Sequence, residues 1–515
     1  MLPEFAPTSL TDFSKNENRQ AMLSALDKVQ SLFGQNYPLV IGGEEIHTDD
    51  KITSINPAKT EEVVAYFSKG TKEHAEKAIT VADQVFQHWS RVAPEERARY
   101  LLKAAAIMKR RRLELAAWMV FEVSKNWVEA DADVAEAIDF LEFYAREMMR
   151  YGQPQPVTPY SGEENELYYI PLGVGAVIPP WNFPLAILCG MTSAAIVAGN
   201  TVVLKPASTA PAIGYQFYRI MKDAGLPDGV LNFLPGPGSK IGDTIVQHPR
   251  TRFIAFTGSK EVGLRIHELA SRLSEGQIWL KRTILEMGGK DFIVVDDTAD
   301  LDDAAQGIVT SAYGFQGQKC SACSRAIIHA DVYDEVIARI VEKAGKITIG
   351  EPKDQGNFLG AVIDEAAYNK ILEYIEIGKQ EGKLVLGGER GPSGGYFIQP
   401  TIVKDVDENA RLAQEEIFGP VLACIKARDF EHAVKIANGT EFGLTGALYS
   451  NNRANIEFGR RELHVGNLYF NRKCTGALVG VQPFGGFNMS GTDSKAGGRD
   501  YLLLFTQAKS VAEKF

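Results

Sequence analysis

The sequence predicts an α/β protein built on two successive parallel sheets, and three observations support this prediction. From Gly173 onward, short apolar segments of strand length alternate with longer amphipathic segments, which is typical of parallel sheets covered on both faces. The alternation runs once up to Glu286 and starts again at Asp291. A chain of 515 residues with 45% hydrophobic residues has room for two or three domains. We therefore expect two α/β domains with a cleft between them.

The part of the chain before this alternation is predicted to be mostly helical. Residues 1–36 have the apolar spacing of an amphipathic helical arm, and residues 37–41 resemble a strand that enters a tight turn at Gly42 and Gly43. Segments of helical period follow at residues 72–90, 94–112, 114–125 and 131–150.

The two sheets are expected from two series of strands. The first series comprises residues 174–178, 201–204, 230–233, 253–256 and 283–286, with helices at 210–224, 239–247 and 261–273 between most of them. The second comprises residues 291–295, 325–328, 384–386, 401–403, 421–426 and 446–449, with helices such as 331–344 between several. Residues 151–171 and 487–515 are less regular and could pair as an appendage.

Charge and cysteine content disfavour several classes of protein. The net charge of −10, from 55 basic and 65 acidic residues, argues against nucleic acid or an anionic membrane as a partner. The uncharged stretch at residues 167–204 is cut by four prolines, so we interpret it as buried strands, loop and helix rather than a membrane span. Five scattered cysteines and the lack of a secretory signal predict a reduced, cytoplasmic protein.

Two strand-to-helix turns are candidates for nucleotide binding. Residues 235–242 contain glycines in a G-x-G-x-x-x-G pattern, one residue longer than the usual dinucleotide fingerprint, and a plain turn is an equally good interpretation of this segment alone. Residues 256–259 form a second such turn with free backbone N–H groups, and two together favour nucleotide binding. Lys205 stands at the end of a strand, where open α/β sheets bind ligands.

Cys320 is the candidate nucleophile, in the Gly- and Gln-rich stretch 315–323. A thiol attacks a carbonyl carbon only as the thiolate, so a base or a lowered pKa is required. A buried packing cysteine is the alternative on the local sequence alone. Cys320 and Cys323 also form C-x-x-C, but there is no second such pair and the nearest histidine is His329, so neither zinc nor a dithiol redox site is favoured.

Two polar residues at strand ends could serve this nucleophile. Asn182 lies in the rigid loop Pro180-Trp181-Asn182-Phe183-Pro184 and could donate to an oxyanion, or could cap its own turn. Glu286 ends a strand before a glycine pair, where burial would raise its pKa toward that of a general base; a helix cap or salt bridge is the alternative.

Six ordered motifs then give a resemblance that covers essentially the whole chain. They are Pro180-Trp181-Asn182-Phe183-Pro184, Phe256-Thr257-Gly258-Ser259, Leu285-Glu286-Met287-Gly288-Gly289-Lys290, Gly317-Gln318-Lys319-Cys320, Glu415-Glu416-Ile417-Phe418-Gly419-Pro420 and Pro483-Phe484-Gly485-Gly486. Their order resembles that of the aldehyde dehydrogenase superfamily. The resemblance implies a Rossmann-like NAD-binding domain (1–150 and 172–286, with the arm 1–36), a catalytic cysteine domain (287–486) and a small β oligomerisation flap (151–171 and 487–515).

The resemblance also implies roles for the motif residues. Cys320 would attack the aldehyde, Asn182 and the Cys320 backbone N–H would hold the oxyanion, and Glu286 would activate the water that hydrolyses the thioester. The cofactor-binding residues would be Trp181, Lys205, Ser208, Gly238, Ser259, Glu416 and Phe418. NAD is the expected cofactor; because Ser208 stands where many NAD-specific members carry an acidic residue, NADP is also allowed. No metal is expected, and the flap implies a homo-oligomer, at least a dimer.

Within the family, residues 470–480 and the N-terminal arm look like the bacterial branch that acts on 1-pyrroline-5-carboxylate. This resemblance implies oxidation of L-glutamate 5-semialdehyde to glutamate in proline degradation. Ser321, Gly476 and Ala477 would anchor the α-carboxylate. Phe183 and Phe484 would sandwich the aliphatic chain, and Glu136 would meet the α-ammonium. Another ω-aldehyde such as succinate semialdehyde is the alternative substrate, and a catalytically silent scaffold is the alternative class.

Overall fold

A computed structural model describes residues 3–515. Up to residue 171, most residues in regular elements are helical. These elements are α1 (Asn16–Gln30), β1 (Gln35–Tyr37), β2 (Leu39–Ile41), β3 (Glu44–Ile46), β4 (Lys51–Asn56), β5 (Lys59–Ser68), α2 (Lys72–Trp89), α3 (Pro94–Arg110), α4 (Arg112–Glu122), α5 (Trp127–Tyr151) and β6 (Glu163–Pro171).

The next part alternates strands and helices. It contains β7 (Val174–Ile178), α6 (Ala186–Val197), β8 (Thr201–Leu204), α7 (Pro211–Asp223), β9 (Leu231–Phe233), a π-helical turn (Gly238–Gly242), α8 (Asp243–Gln247), β10 (Thr251–Thr257), α9 (Lys260–Ser271) and β11 (Arg282–Glu286).

The alternation continues to the end of the chain. The elements are β12 (Asp291–Val295), α10 (Leu301–Tyr313), 3₁₀ turns (Gly314–Gly317 and Ala330–Val332) on either side of β13 (Cys323–His329), α11 (Tyr333–Ala344), α12 (Glu365–Glu381), β14 (Lys383–Leu386), β15 (Thr401–Lys404), α13 (Arg411–Gln414), β16 (Val421–Ala427), α14 (Phe430–Asn438), β17 (Phe442–Gly443), β18 (Thr445–Tyr449), α15 (Arg453–Glu462), β19 (Asn467–Phe470), β20 (Phe487–Asn488), a 3₁₀ helix (Arg499–Phe505) and β21 (Thr506–Lys514).

Two seven-stranded sheets form the framework. The first has the order β11-β10-β7-β8-β9-β2-β3, in which β11 to β9 are parallel and β2 and β3 are antiparallel additions. The second has the order β14-β15-β16-β13-β12-β18-β19, and β14 alone is antiparallel to its neighbour. Apolar residues fill both faces of these sheets, as expected for parallel strands covered by helices.

A separate ribbon joins two distant parts of the chain. β6 pairs antiparallel with β21 over nine residue pairs, from Thr506 opposite Pro171 to Lys514 opposite Glu163. The division into three domains stays a prediction. No helix within residues 3–515 combines the length and apolarity needed to cross a bilayer.

Several predicted elements need correction. The predicted strand at 37–41 is split into β1 and β2, which belong to different sheets, because Pro38 has no N–H to donate to a ladder. The predicted arm 1–36 is helical at Asn16–Gln30 and has no helix or strand at residues 3–15, while Met1 and Leu2 lie outside the described residues. The predicted helix 131–150 begins earlier, at Trp127, because the Asn126 side chain accepts from the Glu129 backbone N–H and caps it.

Asn200 joins three parts of this framework. Its Oδ1 accepts from the backbone N–H groups of Leu172 (2.8 Å) and Gly173 (2.9 Å), and its Nδ2 donates to the carbonyl oxygens of Ala195 (3.0 Å) and Phe505 (2.9 Å). The residue is fully buried. It therefore satisfies backbone groups at the start of β7, in α6 and at the end of the last 3₁₀ helix.

Replacing Asn200 with Ala is expected to lower the free energy of unfolding by about 3 kcal/mol, because buried backbone groups lose their partners. Asn409→Ala is the matched control, since Asn409 is exposed and its amide bonds only to Asp407. Denaturant unfolding followed by circular dichroism measures both. Equal losses for the two variants would contradict this account of Asn200.

Candidate active site

A left-handed turn presents Cys320. After α10 ends, Phe315, Gln316 and Gly317 have φ of 50°, 58° and 68°. Such values are rare for residues with a Cβ, and a Cβ at Gly317 would lie 2.3 Å from the carbonyl oxygen of Gly419. The turn reverses the chain and places Cys320 just before β13. The residue as a whole is half-buried.

Two buried glutamines hold this turn in place. The Gln316 Nε2 donates to the carbonyl oxygens of Ser124 (3.0 Å) and Ala361 (2.8 Å). The Gln318 Oε1 accepts from the backbone N–H of Ile363 at 2.9 Å. The backbone that carries Cys320 is therefore attached to segments far from it in sequence. Sequence analysis missed both side chains, because the sequence shows no pattern that separates a bracing glutamine from a loop glutamine.

Asn182 is beside the nucleophile. Its Nδ2 donates to the carbonyl oxygen of Gln318 at 3.1 Å, and the residue is buried. An amide nitrogen carries two hydrogens, so the second one is available for another acceptor. This hydrogen bond fixes the Asn182 amide against the backbone of Gln318, two residues before Cys320.

The Cys320 thiol lies in surroundings that disfavour its charged form. Burial, with the carboxyl groups of Asp291 and Glu286 adding to it, raises the pKa of the thiol well above its ordinary value. The thiol is therefore protonated in the free protein at neutral pH. A reaction that uses the thiolate needs a base or a nearby positive charge.

A cavity of about 340 Å³ opens on one side of Cys320. Its walls come from the carboxyl ends of β7 and β10 and from the loops between β11 and β12, before β13 and after α13. Six predicted site residues line it: Trp181, Asn182, Ser259, Cys320, Glu416 and Phe418. Pro179, Pro180, Ala207, Phe256, Thr257, Gly258, Val262, Met287, Gly288 and Lys370 complete the lining. Lys370 could not have been found from sequence, because it lies among ordinary surface charges of α12.

Three predicted cofactor residues lie beyond this lining. Lys205 is buried at the end of β8, its Nζ donates to the Pro206 carbonyl oxygen at 3.3 Å, and burial lowers its pKa to about 8. Ser208 Oγ donates to the carbonyl oxygen of Gly236 at 3.5 Å, which links the loop after β8 to the candidate turn at residues 235–242. Gly238 opens the π-helical turn, and a Cβ there would meet no atom within 4 Å.

The remaining predicted cofactor residues, which all line the cavity, are Ser259, Glu416, Trp181 and Phe418. Ser259 caps α9, since its Oγ accepts from the Val262 backbone N–H at 3.4 Å, so a helix N-terminus faces the cavity. The Glu416 carboxylate accepts from the Gly289 backbone N–H at 3.1 Å. The rings of Trp181 and Phe418 meet edge-to-face at 5.5 Å.

Glu286 lies at the end of β11 with its carboxyl group turned toward the chain after β19. Its Oε1 accepts from Ser494 Oγ at 2.8 Å, and its Oε2 accepts from the Gly486 backbone N–H at 3.4 Å. Burial raises its pKa to about 8, although both hydrogen bonds act in the opposite direction. A carboxyl group of this pKa changes its charge near physiological pH, which is the property that a general base requires.

The predicted substrate residues lie outside the cavity lining, on other parts of the structure. Glu136 projects from α5, where burial and the neighbouring Asp133 raise its pKa to about 8. Ser321 is buried, and its carbonyl oxygen accepts from Thr445 Oγ1 at 3.4 Å. Gly476, with φ of 79°, is exposed and Ala477 is half-buried, in the loop after β19.

The two predicted aromatic residues differ in their surroundings. Phe484 pairs through its backbone with Ala496, each donating to the other at 2.8 Å. The ring of Phe183 lies 4.1 Å from the Nζ of Lys125, a fully buried lysine that bonds Asp133 at 2.7 Å. Sequence analysis missed this ion pair, because a buried lysine has no sequence signature.

Further charges connect the nucleophile to α5. Lys319 Nζ pairs with Glu129 Oε1 at 2.7 Å, and Glu129 lies one helical turn before Asp133 on the same helix face.

Elsewhere, Asp297, His329 and Asp331 bring ligand atoms within 4.8 Å of one another and could hold a metal ion. They follow the ends of β12 and β13, whereas Cys320 precedes β13.

Comparison with known proteins decides the family. The model of the "Aldehyde dehydrogenase family" matches residues 45–511. The chain belongs to the aldehyde dehydrogenase family. This confirms the relationship inferred from the six motifs, and the family's fold agrees with the two α/β sheets observed.

Individual relatives within the family are similar over the whole chain. The 1-pyrroline-5-carboxylate dehydrogenase of Geobacillus thermodenitrificans is 60% identical over 515 residues, which is all of both chains. A crystal structure of 1-pyrroline-5-carboxylate dehydrogenase from Thermus with bound NAD has 53% identity, a TM-score of 0.98 and full coverage of both chains. Betaine aldehyde dehydrogenase from Staphylococcus aureus in complex with NAD⁺ has 27% identity and a TM-score of 0.89, over 96% of this chain and 97% of that one.

Proposed function

We propose that this chain is an NAD-dependent 1-pyrroline-5-carboxylate dehydrogenase, which oxidises L-glutamate 5-semialdehyde to L-glutamate in proline degradation. The observation that carries the proposal is the position of Cys320 on the wall of a cavity at the strand ends, beside the Asn182 amide. The identity of 60% with a full-length relative of that name supports this substrate over that of betaine aldehyde dehydrogenase, at 27%.

The cavity fits the nicotinamide end of a dinucleotide. The N-terminus of α9 at Ser259 suits phosphate, and free lone pairs on the Glu416 carboxylate suit ribose hydroxyls. Lys205 at the end of β8 would bind the adenosine ribose, with Ser208 and Gly238 near it, while Trp181 and Phe418 would enclose the ring. When bound, the oxidised dinucleotide accepts the hydride and brings a positive charge toward the sulfur.

The first chemical step forms a covalent bond. The Cys320 thiol gives its proton to water, and the sulfur attacks the aldehyde carbon, which makes a tetrahedral thiohemiacetal. The free N–H of the Asn182 amide and the Cys320 backbone N–H stabilise the oxyanion. Loss of hydride from that carbon then leaves a thioester on Cys320.

The second step hydrolyses the thioester. Glu286 takes a proton from water, the hydroxide attacks the carbonyl carbon, and the carbon–sulfur bond breaks to release glutamate and the Cys320 thiol. Only the ionised carboxylate can accept this proton. Since the pKa of Glu286 is raised to about 8, the reactive fraction increases as the pH rises toward that value.

The charged end of the substrate would be bound by groups around α5 and in the loop after β19. Ser321, Gly476 and Ala477 would bind the α-carboxylate. Glu136 would bind the α-ammonium, because a cation beside it lowers the cost of ionising a buried carboxyl group. Phe183, held by Lys125, and Phe484 would contact the methylene groups.

Two further features concern the environment of the enzyme. All five cysteines are free, which suits a cytoplasmic enzyme in a reducing compartment.

A second copy of the chain would cover the exposed apolar side chains of Leu273, Ile278 and Leu280, which lie beside the edge strand β11. The β6–β21 ribbon would extend this contact.

Steady-state formation of NADH tests the activity. We expect kcat/KM to be higher for pyrroline-5-carboxylate than for succinate semialdehyde or propanal, and glutamate to compete with the aldehyde. Cys320→Ala is expected to reduce kcat about a thousandfold or more because it removes the nucleophile. Cys323→Ala is the matched control and should keep most of the activity. Turnover by Cys320→Ala at the wild-type rate would refute the mechanism.

The pH dependence tests the base. The wild-type kcat should increase about tenfold per pH unit below about pH 8, where hydrolysis limits turnover, because ionised Glu286 increases in that proportion. Glu286→Gln should still give a rapid burst of up to one NADH per site, followed by turnover about a hundredfold slower. Stopped-flow absorbance measures both phases. Unchanged steady turnover in Glu286→Gln would exclude Glu286 as the base.

Light scattering tests the assembly. The wild-type chain should have the mass of a dimer or larger oligomer, and Ile278→Glu should shift it toward a smaller species, because a buried unpaired charge is costly. Val128→Glu is the control at another exposed apolar position, on α5, and should not alter the mass. A monomeric wild type would contradict the proposal.

A further inference from the structure

The chain after β20 folds back against the strand that carries Glu286. We call residues 490–498 the C-terminal loop. The Met287 backbone N–H donates to the Ser490 carbonyl oxygen at 2.8 Å, and the Thr492 backbone N–H donates to that of Leu285 at 3.0 Å. The Leu285 backbone N–H in turn donates to Thr492 Oγ1 at 3.0 Å. These bonds fix the loop in register with the end of β11.

Ser494 lies where this loop meets the carboxyl group. Its side chain is buried, and its Oγ donates to Glu286 Oε1 at 2.8 Å. A Cβ at Gly485 would lie 1.6 Å from the Ser494 carbonyl oxygen and 2.8 Å from Glu286 Oε1. Gly485, the Ser494 backbone and the Glu286 carboxylate are therefore in close contact, and position 485 has no room for a side chain.

We infer that Ser494 is a positioning residue for the general base, whose hydroxyl holds the Glu286 carboxylate in one orientation and stabilises its ionised form. The inference rests on the proposed function, because it takes Glu286 as the base of thioester hydrolysis. A hydroxyl that donates to a carboxylate binds the charged form more strongly than the neutral acid. Within residues 3–515, Ser494 is the one side chain that hydrogen-bonds this carboxyl group.

Other charges near Glu286 do not replace this hydroxyl. Lys495 favours the ionised carboxylate through its charge, but its Nζ donates to the carbonyl oxygens of Gly466 and Gly485 instead. Asp493 on the same loop acts against ionisation. From other elements, the Cys320 thiol and the Tyr501 hydroxyl also face Glu286 and are neutral at physiological pH.

Ser494→Ala tests the inference through the pH profile of kcat. The acid limb should move upward by about one pH unit, and kcat at pH 7 should fall about tenfold, because the ionised carboxylate loses a donor. The NADH burst amplitude and kcat/KM for the aldehyde should stay close to wild type, because the steps up to the thioester do not use Glu286. Ser494→Cys has a similar side-chain volume and a weaker hydrogen-bond donor, so it should shift the acid limb in the same direction by less. This variant tests the inference even if the alanine variant folds poorly.

Thr492→Val is the matched control on the same loop, since among residues 3–515 the Thr492 hydroxyl bonds to the backbone of Leu285 alone. This variant should have a lower free energy of unfolding than the wild type, but the acid limb of its kcat–pH profile should stay in place. An unmoved limb in both Ser494 variants, or an equal shift in Thr492→Val, would overturn the inference. Failure of the proposed function is recognised separately: Cys320→Ala or Glu286→Gln would then turn over at the wild-type rate, whatever the Ser494 variants do.

Discussion

The active site depends on a backbone turn that side-chain-bearing residues rarely adopt. Left-handed φ at Phe315 and Gln316 costs about 1 kcal/mol or more at each residue. The buried hydrogen bonds of Gln316 to Ser124 and Ala361 each contribute about 1 kcal/mol in return. The turn is therefore maintained by its surroundings rather than by local preference, and Cys320 inherits its position from them.

Because those bonds reach distant segments, the nucleophile lies where several parts of the chain are packed together. Ser124 and Glu129 come from the α4–α5 region, whereas Ile363 precedes α12. The same packing removes water from the carboxyl groups and the thiol. Burial is the leading cause of the raised pKa of both Glu286 and Cys320. Positioning and electrostatic tuning thus have one physical origin.

Much of the fold could be predicted from sequence because it depends on local periodicity. The strands at Val174–Ile178 and Thr201–Leu204 agree with the predicted bounds, since buried parallel strands form continuous apolar segments. The start of α5 was placed too late, at residue 131, although Asn126 carries a helix-capping signal. Pro38 likewise carried a signal for the break between β1 and β2.

The chemistry of the site was predictable only in part. The cysteine, the amide and the glutamate could be proposed from motifs at strand ends, where parallel sheets place ligands. The contacts that hold them could not be predicted. Gln318 and Ser494 bond to partners more than a hundred residues away, Asn182 and Glu286, and Lys125 contacts the Phe183 ring on another segment. Such contacts follow from tertiary structure, which one sequence does not display.

The end of the chain shows how these contacts are coupled. The loop that carries Ser494 is followed by a 3₁₀ helix (Arg499–Phe505), whose Tyr501 stacks on Tyr144 of α5 at 5.6 Å, and then directly by β21 of the ribbon. The Gly497 backbone N–H also donates to the Tyr144 hydroxyl at 2.8 Å. About twenty consecutive residues therefore contact the base, the helix that bears Glu136 and the ribbon partner β6. The loop that holds the Glu286 carboxylate and the ribbon strand β21 therefore belong to one short continuous segment, which is fixed at one end by the Ser494 hydrogen bond and at the other by the β6 ladder.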